Sequence, residues 1–339
     1  MSVNSSERIR RVTRNDVAKR ANVSPAVVSY VINNSKFVSP EKTEAVKRAI
    51  AELQYRPNMQ ARSLKTQKTM QIAFVCDNLL NYWLEEAETI LFEKGYYVSH
   101  CYSRDSEEFI QQIIARQFDA VFMMSNLFST AQLNMLADAG IPVVLYKTRN
   151  YGAFHPGIAT VVPDYSDGVV KSVNYLAMKG HERIALIPPI RYKMQDLAHA
   201  GFRIRAYLNA MRQNGLPIRE DLVCMDTRSV ETITKNVLNM LLSGSRATRP
   251  TAFIVCNDHL AIQLMKEIKQ LGLRIPEDAA IIGADNTFLA DLVSPSLTSI
   301  EFSKQEFAQK MANALLALIQ GEQPEDEYIP VSLVVRASA

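Results

Sequence analysis

Leu64 stands between Arg62 and Lys65, in a stretch that begins at Pro57 and is too polar to bury itself. A short helix of that composition is marginal alone and orders only when something docks it. A leucine between two cations suits a wedge pressed into a base step from the minor groove, with the cations resting on phosphates. Elsewhere the residue types that drive catalysis lack the spacing for it. His100, His155, His181, His199 and His259 show no HExxH or paired-ligand spacing, and no GxSxG elbow occurs. Glu85 and Glu86 sit side by side on a helical stretch and read as a solvated face. Neither a GxGxxG after a strand nor a GxxxxGK[ST] loop is present. Cys76, Cys101, Cys224 and Cys256 are scattered without CxxC spacing and read as buried free thiols. No enzyme, metal or cofactor is implied.

The elements ahead of Leu64 fit the same chemistry. Thr13 is an N-cap for a helix over about 14–21, with Val17, Ala18 and Ala21 inward. Ser24 caps a second helix that starts at Pro25, where the missing N–H costs nothing, and runs to about Asn33. It buries Val27, Val28 and Val31 and turns Ala26, Ser29 and Tyr30 outward. Ser39-Pro40 repeats the signal ahead of a third helix carrying Val46, Ile50 and Leu53. Two short helices joined by a three-residue turn, with a third closing the core, form a helix-turn-helix. Charge agrees. Of 38 Lys+Arg and 35 Asp+Glu, residues 1–68 hold 14 and 5, leaving 24 and 30 for the remainder. A basic head on an acidic body is suited to a polyanion.

From Gln71 the texture changes to short apolar runs rich in Val and Ile: "QIAFVC", "YYVSHC", "DAVFMM", "PVVLY", "RIALIPP", "DLVCMD", "TAFIVCN" and "AAIIGAD". Amphipathic helical stretches separate most of them. The alternation predicts an α/β body of two doubly wound parallel sheets, each buried on both faces. No apolar run approaches the ~18 residues of a membrane span, and no signal peptide is visible, so the chain reads as cytoplasmic.

The segments "DVAKRANVS", "VSYVIN", "VSPEKTEAVKRAIAELQYRPN" and "ARSLK" resemble, in order and spacing, the head and hinge helix of the LacI/GalR family of bacterial transcription regulators. Their wording is nearest to the purine-repressor branch. "GHERIALI", "AFIVCNDHLA", "GLRIPEDAAIIGADN" and the span Ser294–Gly321 extend the resemblance over nearly the whole chain. The resemblance implies a dimer on a palindromic operator, with the second helix in the major groove. Pro25, Ala26 and Tyr30 then fall at base edges. Thr13, Ser24, Ser29 and Asn33 serve phosphates and register, and the hinge supplies Asn58, Met59, Ala61, Arg62, Leu64 and Lys65. Proline and alanine offer no hydrogen bond there, so direct readout is thin and DNA deformability carries more of the specificity. Gln60 stands where the family has an apolar residue facing the partner hinge.

For the body the resemblance implies a periplasmic-binding-protein-like arrangement with an effector cleft between two sub-domains. The expected division is 1–56 for the head, 57–70 for the hinge and linker, 71–161 with 292–323 for the N-terminal sub-domain, and 162–291 with 324–339 for the C-terminal one. "YIPVSLVVRAS" is expected to close the latter. Strand carboxyl ends are where such sheets bind ligands. The effector residues expected there are Tyr82, Trp83, Asp164, Arg191, Phe202, Asp258 and Asn286. Asp258 reads equally as an N-cap, and Tyr82 and Trp83 equally as packing. Ala198 replaces the family's arginine three residues before Gly201, with Arg191 or Lys193 as substitutes. The sequence thus predicts a repressor answering a small molecule, a sugar first. A protein co-effector, or none, remains open, and the rival from another class is a solute-binding protein.

Overall fold

The computed structural model describes residues 12–56, 68–77, 84–147, 151–190, 201–243, 245 and 248–339. The chain divides into two compact units, Met1–Thr69 and Met70–Ala339. Helices of the first unit begin where the start signals stand: α1 (Arg14–Arg20), α2 (Pro25–Asn33) and α3 (Pro40–Glu52). Asn34 ends α2 at φ 47°, a left-handed conformation asparagine tolerates. Val17, Ala18, Val28, Val46 and Ala49 are buried, with Val31, Ile50 and Leu53 packed around them. One difference is local: Ser39 occupies the cap of α3 but makes no side-chain cap bond.

The second unit alternates strand and helix. Its first half runs β1 (Gln71–Cys76), α4 (Leu84–Glu93), β2 (Tyr97–Tyr102), α5 (Glu107–Ala115), β3 (Ala120–Met124), α6 (Thr130–Asp138), β4 (Val143–Tyr146) and β5 (Ile158–Pro163). Its second half runs α7 (Tyr165–Met178), β6 (Ile184–Ile187), α8 (Phe202–Gln213), α9 (Val230–Leu242), β7 (Ala252–Val255), α10 (Asp258–Gln270), β8 (Ala280–Ala284) and α11 (Phe288–Leu292). The chain closes with β9 (Thr298–Phe302), α12 (Lys304–Ile319), β10 (Glu327–Ile329) and β11 (Val331–Val334). One sheet has the order β10-β5-β4-β3-β1-β2 and is parallel throughout. The other, β11-β9-β8-β7-β6, is parallel except where β11 meets β9. Runs of Val and Ile are buried on both faces because helices cover both sides, as in Ile72–Cys76 of β1.

Four expectations need correction. "DLVCMD" is not a strand. Residues Glu220–Leu222 form a 3-10 turn, and only the bridge Leu186↔Val223 ties the run to β6. "YIPVSLVVRAS" is split rather than continuous. Pro330 has no N–H for a ladder, so the chain leaves the first sheet after β10 and enters the second at β11. Residues 292–323 do not stay with the first lobe, because β9 pairs with β8 in the second sheet. Only α12 joins the first lobe, burying Phe307, Met311 and Leu315 beside Ile72, Phe122 and Val144. The first set of strands, expected to end at 161, runs to Pro163 through β5, which the sequence runs did not mark. The chain therefore passes between the lobes three times, at Asp164, Ser303 and Pro330.

Candidate DNA-reading head and effector pocket

In the head, Thr13 caps α1 through a reciprocal box. Its Oγ1 accepts from the Asp16 N–H at 3.3 Å, and Asp16 Oδ2 accepts from the Thr13 N–H at 2.8 Å. The Thr13 hydroxyl also donates to Asp16 Oδ2 at 2.6 Å, so both its hydrogen-bonding functions serve the cap. Ser24 Oγ accepts from the Val27 N–H at 3.4 Å. Pro25 and Ala26 are exposed at the start of α2. Ser29 and Tyr30, expected outward, are half-buried, as are Val27 and Val31. Lys36 Nζ lies 5.1 Å from the Tyr30 ring centre, which adds a cation beside the phenol. Asn33 folds its amide back on the helix, donating to Ser29 O at 2.9 Å and Ser29 Oγ at 3.2 Å. A shallow groove along the turn is lined by Asn15, Lys19, Asn22, Ser24, Pro25 and Lys42. Two ammonium groups and two amides in one groove are suited to phosphate oxygens. Asn58, Met59, Ala61, Arg62, Leu64 and Lys65 lie outside the described residues, as do Tyr82, Trp83 and Arg191 in the body.

In the second lobe a pocket opens at the carboxyl ends of β6, β7 and β8, against the first turn of α8. Of the expected effector residues that are described, only Phe202 lines it. The other three make their hydrogen bonds elsewhere, although Asn286 Oδ1 is buried without a hydrogen-bond partner. Asp164 caps α7, accepting from the Asp167 N–H at 3.2 Å. Asp258 is fully buried, and the cap of α10 is its neighbour Asn257. Asp258 Oδ1 accepts from Ser299 Oγ at 2.5 Å, and its Oδ2 accepts from Thr287 N–H at 2.6 Å and Thr287 Oγ1 at 3.1 Å. It thus pins α10 to β9 and to the loop before α11. Burial pushes this carboxyl up to about 7, the Ser299 bond opposing and the Asp285 charge adding to the rise. Asn286 Nδ2 donates to Glu301 Oε1 at 2.8 Å, and its N–H to Ser299 Oγ at 3.0 Å.

Tyr165, Arg203 and Cys256 line the pocket without having been anticipated, and a polar network extends behind Tyr165. The Tyr146 hydroxyl donates to Tyr165 Oη at 3.1 Å, and the Tyr165 hydroxyl donates to Asp285 Oδ1, a chain that joins β4 of one lobe to β8 of the other. Burial holds both phenols well above their ordinary range, with the Asp285 charge adding. Asp285 sits at φ 92°, a left-handed turn that ends β8 and aims its carboxylate at Tyr165. Lys304 donates to the Asp285 carbonyl at 2.5 Å and lies 3.5 Å from the Phe302 ring centre. Arg203 stacks on the other side of the network, its guanidinium carbon 3.9 Å from the Tyr165 ring centre. Its Nη1 donates to Cys256 O at 3.2 Å. Cys256 also lines the pocket; burial pushes its thiol up to about 12, which keeps it protonated and un-nucleophilic.

Residues 13–58 match the family described as bacterial regulatory proteins, lacI family, and residues 173–339 match the periplasmic binding protein-like domain. The HTH-type transcriptional repressor PurR of Erwinia tasmaniensis is 31% identical over 339 residues, covering 96% of this chain and 96% of that protein. The PurR of Pectobacterium carotovorum subsp. carotovorum is 30% identical over 338 residues with the same coverage. This chain belongs to the lacI family. It is a DNA-binding transcription regulator and not an enzyme. The fold agrees: the lac repressor dimer bound to operator and the anti-inducer ONPF superposes with a TM-score of 0.77 at 23% identity, covering 97% of this chain and 99% of that one.

Within the lacI family frame, the three head helices start where the sequence signals stand, while Tyr165 and Arg203 line the pocket without having been expected there. Arg203 could have been found: it follows Gly201 by two residues at the start of a helix, in "GFRI". Tyr165 could not, because nothing in "VVPDYSDG" distinguishes a pocket phenol from a packed one. Among the described residues no helix is long and apolar enough to cross a membrane.

Proposed function

We propose that this lacI-family chain acts in the cytoplasm as a repressor that grips a palindromic operator as a dimer and answers a small molecule, a sugar first, held in the cleft between its two lobes. The observation that carries this reading is the head: three short helices, two of them with side-chain caps, place Pro25 and Ala26 exposed at the start of α2, beside a groove holding Lys19 and Lys42. In this reading Pro25, Ala26 and Tyr30 meet base edges, and Ser24, Ser29, Lys19 and Lys42 meet phosphates. Thr13 and Asn33 act through the helix geometry they fix. Asn58, Met59, Ala61, Arg62 and Lys65 flank a Leu64 wedge at the operator centre. The effector shifts the balance between lobe arrangements and so the spacing of the two heads.

The test is operator selection from random DNA followed by binding across a salt series. A palindromic consensus and an affinity that falls steeply with salt support the reading. Leu64→Ala is expected to lose most specific affinity while the body's melting is unchanged. Absence of sequence preference at every salt concentration would sink the proposal.

A further inference from the structure

Two side-chain hydrogen bonds cross from lobe to lobe here, and both links lead to Asp285. Tyr146, at the end of β4 in the first lobe, donates to Tyr165 Oη at 3.1 Å, and the Tyr165 hydroxyl carries the link on to Asp285 Oδ1. Lys304, the first residue of α12, reaches from the same first lobe and donates to the Asp285 carbonyl at 2.5 Å. Asp285 is thus held at its side chain and at its backbone by links that start in the other lobe. Its φ of 92° is one that a residue with a Cβ keeps only where its surroundings over-determine it. The two links supply that constraint.

Aromatic packing sets the chain in place. Tyr165 packs edge-on against Phe302 and Tyr146 edge-on against Phe307, and the two phenylalanine rings lie 5.6 Å apart. Phe302 and Phe307 flank the crossover at Ser303, so this apolar centre sits where the chain passes between the lobes and can serve as a pivot. The guanidinium of Arg203 stacks on the Tyr165 ring at 3.9 Å and steadies it from the second lobe. The hydroxyls and the Lys304 ammonium differ from the rings around them. Once the lobes part, water can take over each of their bonds, so each is reversible. A hydrogen bond that water can replace shifts an opening equilibrium by roughly fivefold.

We propose that Tyr146, Tyr165, Asp285 and Lys304 form a latch, made of the chain's own groups, that holds the two lobes closed over the cleft. An effector enters from the unlatched state, so its apparent affinity is lowered by the fraction of molecules that are latched. Tyr146 and Lys304 are positioning residues that act through the lobe arrangement. None of the four lies in 191–200, the segment outside the described residues that flanks the pocket. The proposal rests on the effector reading above and adds its gate.

Cys256 reports on the latch, because it lines the same pocket wall as Tyr165 and Arg203. Cys224, buried in the same lobe beside Ile233 and Val237, is the control. The experiment is N-ethylmaleimide labelling of the full chain at fixed pH, with each cysteine followed by peptide mass spectrometry. Tyr146→Phe and Tyr165→Phe keep the rings and cut one link; Lys304→Met cuts the other. Each is expected to speed labelling of Cys256 by roughly fivefold and to leave Cys224 at the wild-type rate. Any one variant that keeps the wild-type melting midpoint is enough. A Cys256 rate equal to the wild type's in the folded variants overturns the latch. A parallel rise at Cys224 also overturns it, because the second lobe as a whole has then loosened. Operator affinity of the same samples separates the latch from the effector reading. Faster Cys256 labelling with unchanged operator affinity keeps the latch and sinks control of the heads by lobe arrangement. Intact operator binding with no labelling response keeps the regulator and loses the latch.

Discussion

At the scale of single residues the second lobe is organised around a buried acid rather than an exposed one. Asp258 carries a carboxyl raised to about 7 by burial, whereas an unfolded aspartate titrates near 4. The folded state therefore holds the proton more tightly than the unfolded chain does. This contribution is fully present below about pH 4 and falls as pH rises towards 7, by on the order of 1.4 kcal/mol per pH unit. Asp258→Asn keeps the shape and removes the titration. Denaturant unfolding of wild type and variant from pH 4 to 8 should give a stability difference that shifts across that window in the variant's favour. A pH-independent difference would mean that Asp258 titrates as an ordinary aspartate. Gly283 belongs to the same clip. A Cβ there would overlap Asp258 Oδ1 and lie 2.9 Å from Leu297 Cδ2. Gly283→Ala should therefore cost about 1–3 kcal/mol through overpacking, read as a lower denaturation midpoint.

At the scale of elements, the helix starts of the head carry much of its stability, because its buried core among the described residues is small: Val17, Ala18, Val28, Val46 and Ala49. Thr13→Ala removes one half of a capping box and should cost about 1 kcal/mol. In a unit this small that lowers the head's own melting midpoint by roughly 8 °C and leaves the body unaffected. An unchanged head midpoint would show the box to be dispensable. These starts were legible because Thr13, Ser24-Pro25 and Ser39-Pro40 are local signals, each read within four residues. The strands were legible for a similar reason: a parallel strand buried on both faces shows as a continuous run, as in "QIAFVC". Where a decision depends on distant partners the sequence is silent. "DLVCMD" has the composition of a strand but meets β6 at a single bridge, and "YIPVSLVVRAS" has the composition of one strand but serves two sheets. The pocket depends most on distant partners: Asp258, which the sequence leaves open between an N-cap and a ligand carboxylate, accepts from Ser299, 41 residues later.

At the scale of the whole molecule, the two units should unfold separately while the two lobes should not. Head and body have distinct clusters of buried residues. Within the body one cluster unites Ile72, Phe122 and Val144 of the first sheet with Ala284, Ile300 and Phe302 of the second, through Phe307 and Met311 of α12. The Tyr146–Tyr165–Asp285 chain crosses between the same lobes. A core shared in this way cannot be half lost without exposing its aromatic centre, so the lobes melt together. Calorimetry should accordingly resolve two transitions. At ~0.7 kcal/mol per residue, the head, ~45 residues, would absorb ~30 kcal/mol and the body, ~270 residues, ~190 kcal/mol. Operator DNA should raise only the smaller transition. A third transition that Tyr165→Phe brings forward would mean that the lobes unfold one at a time and that the phenol chain, rather than the common core, couples them.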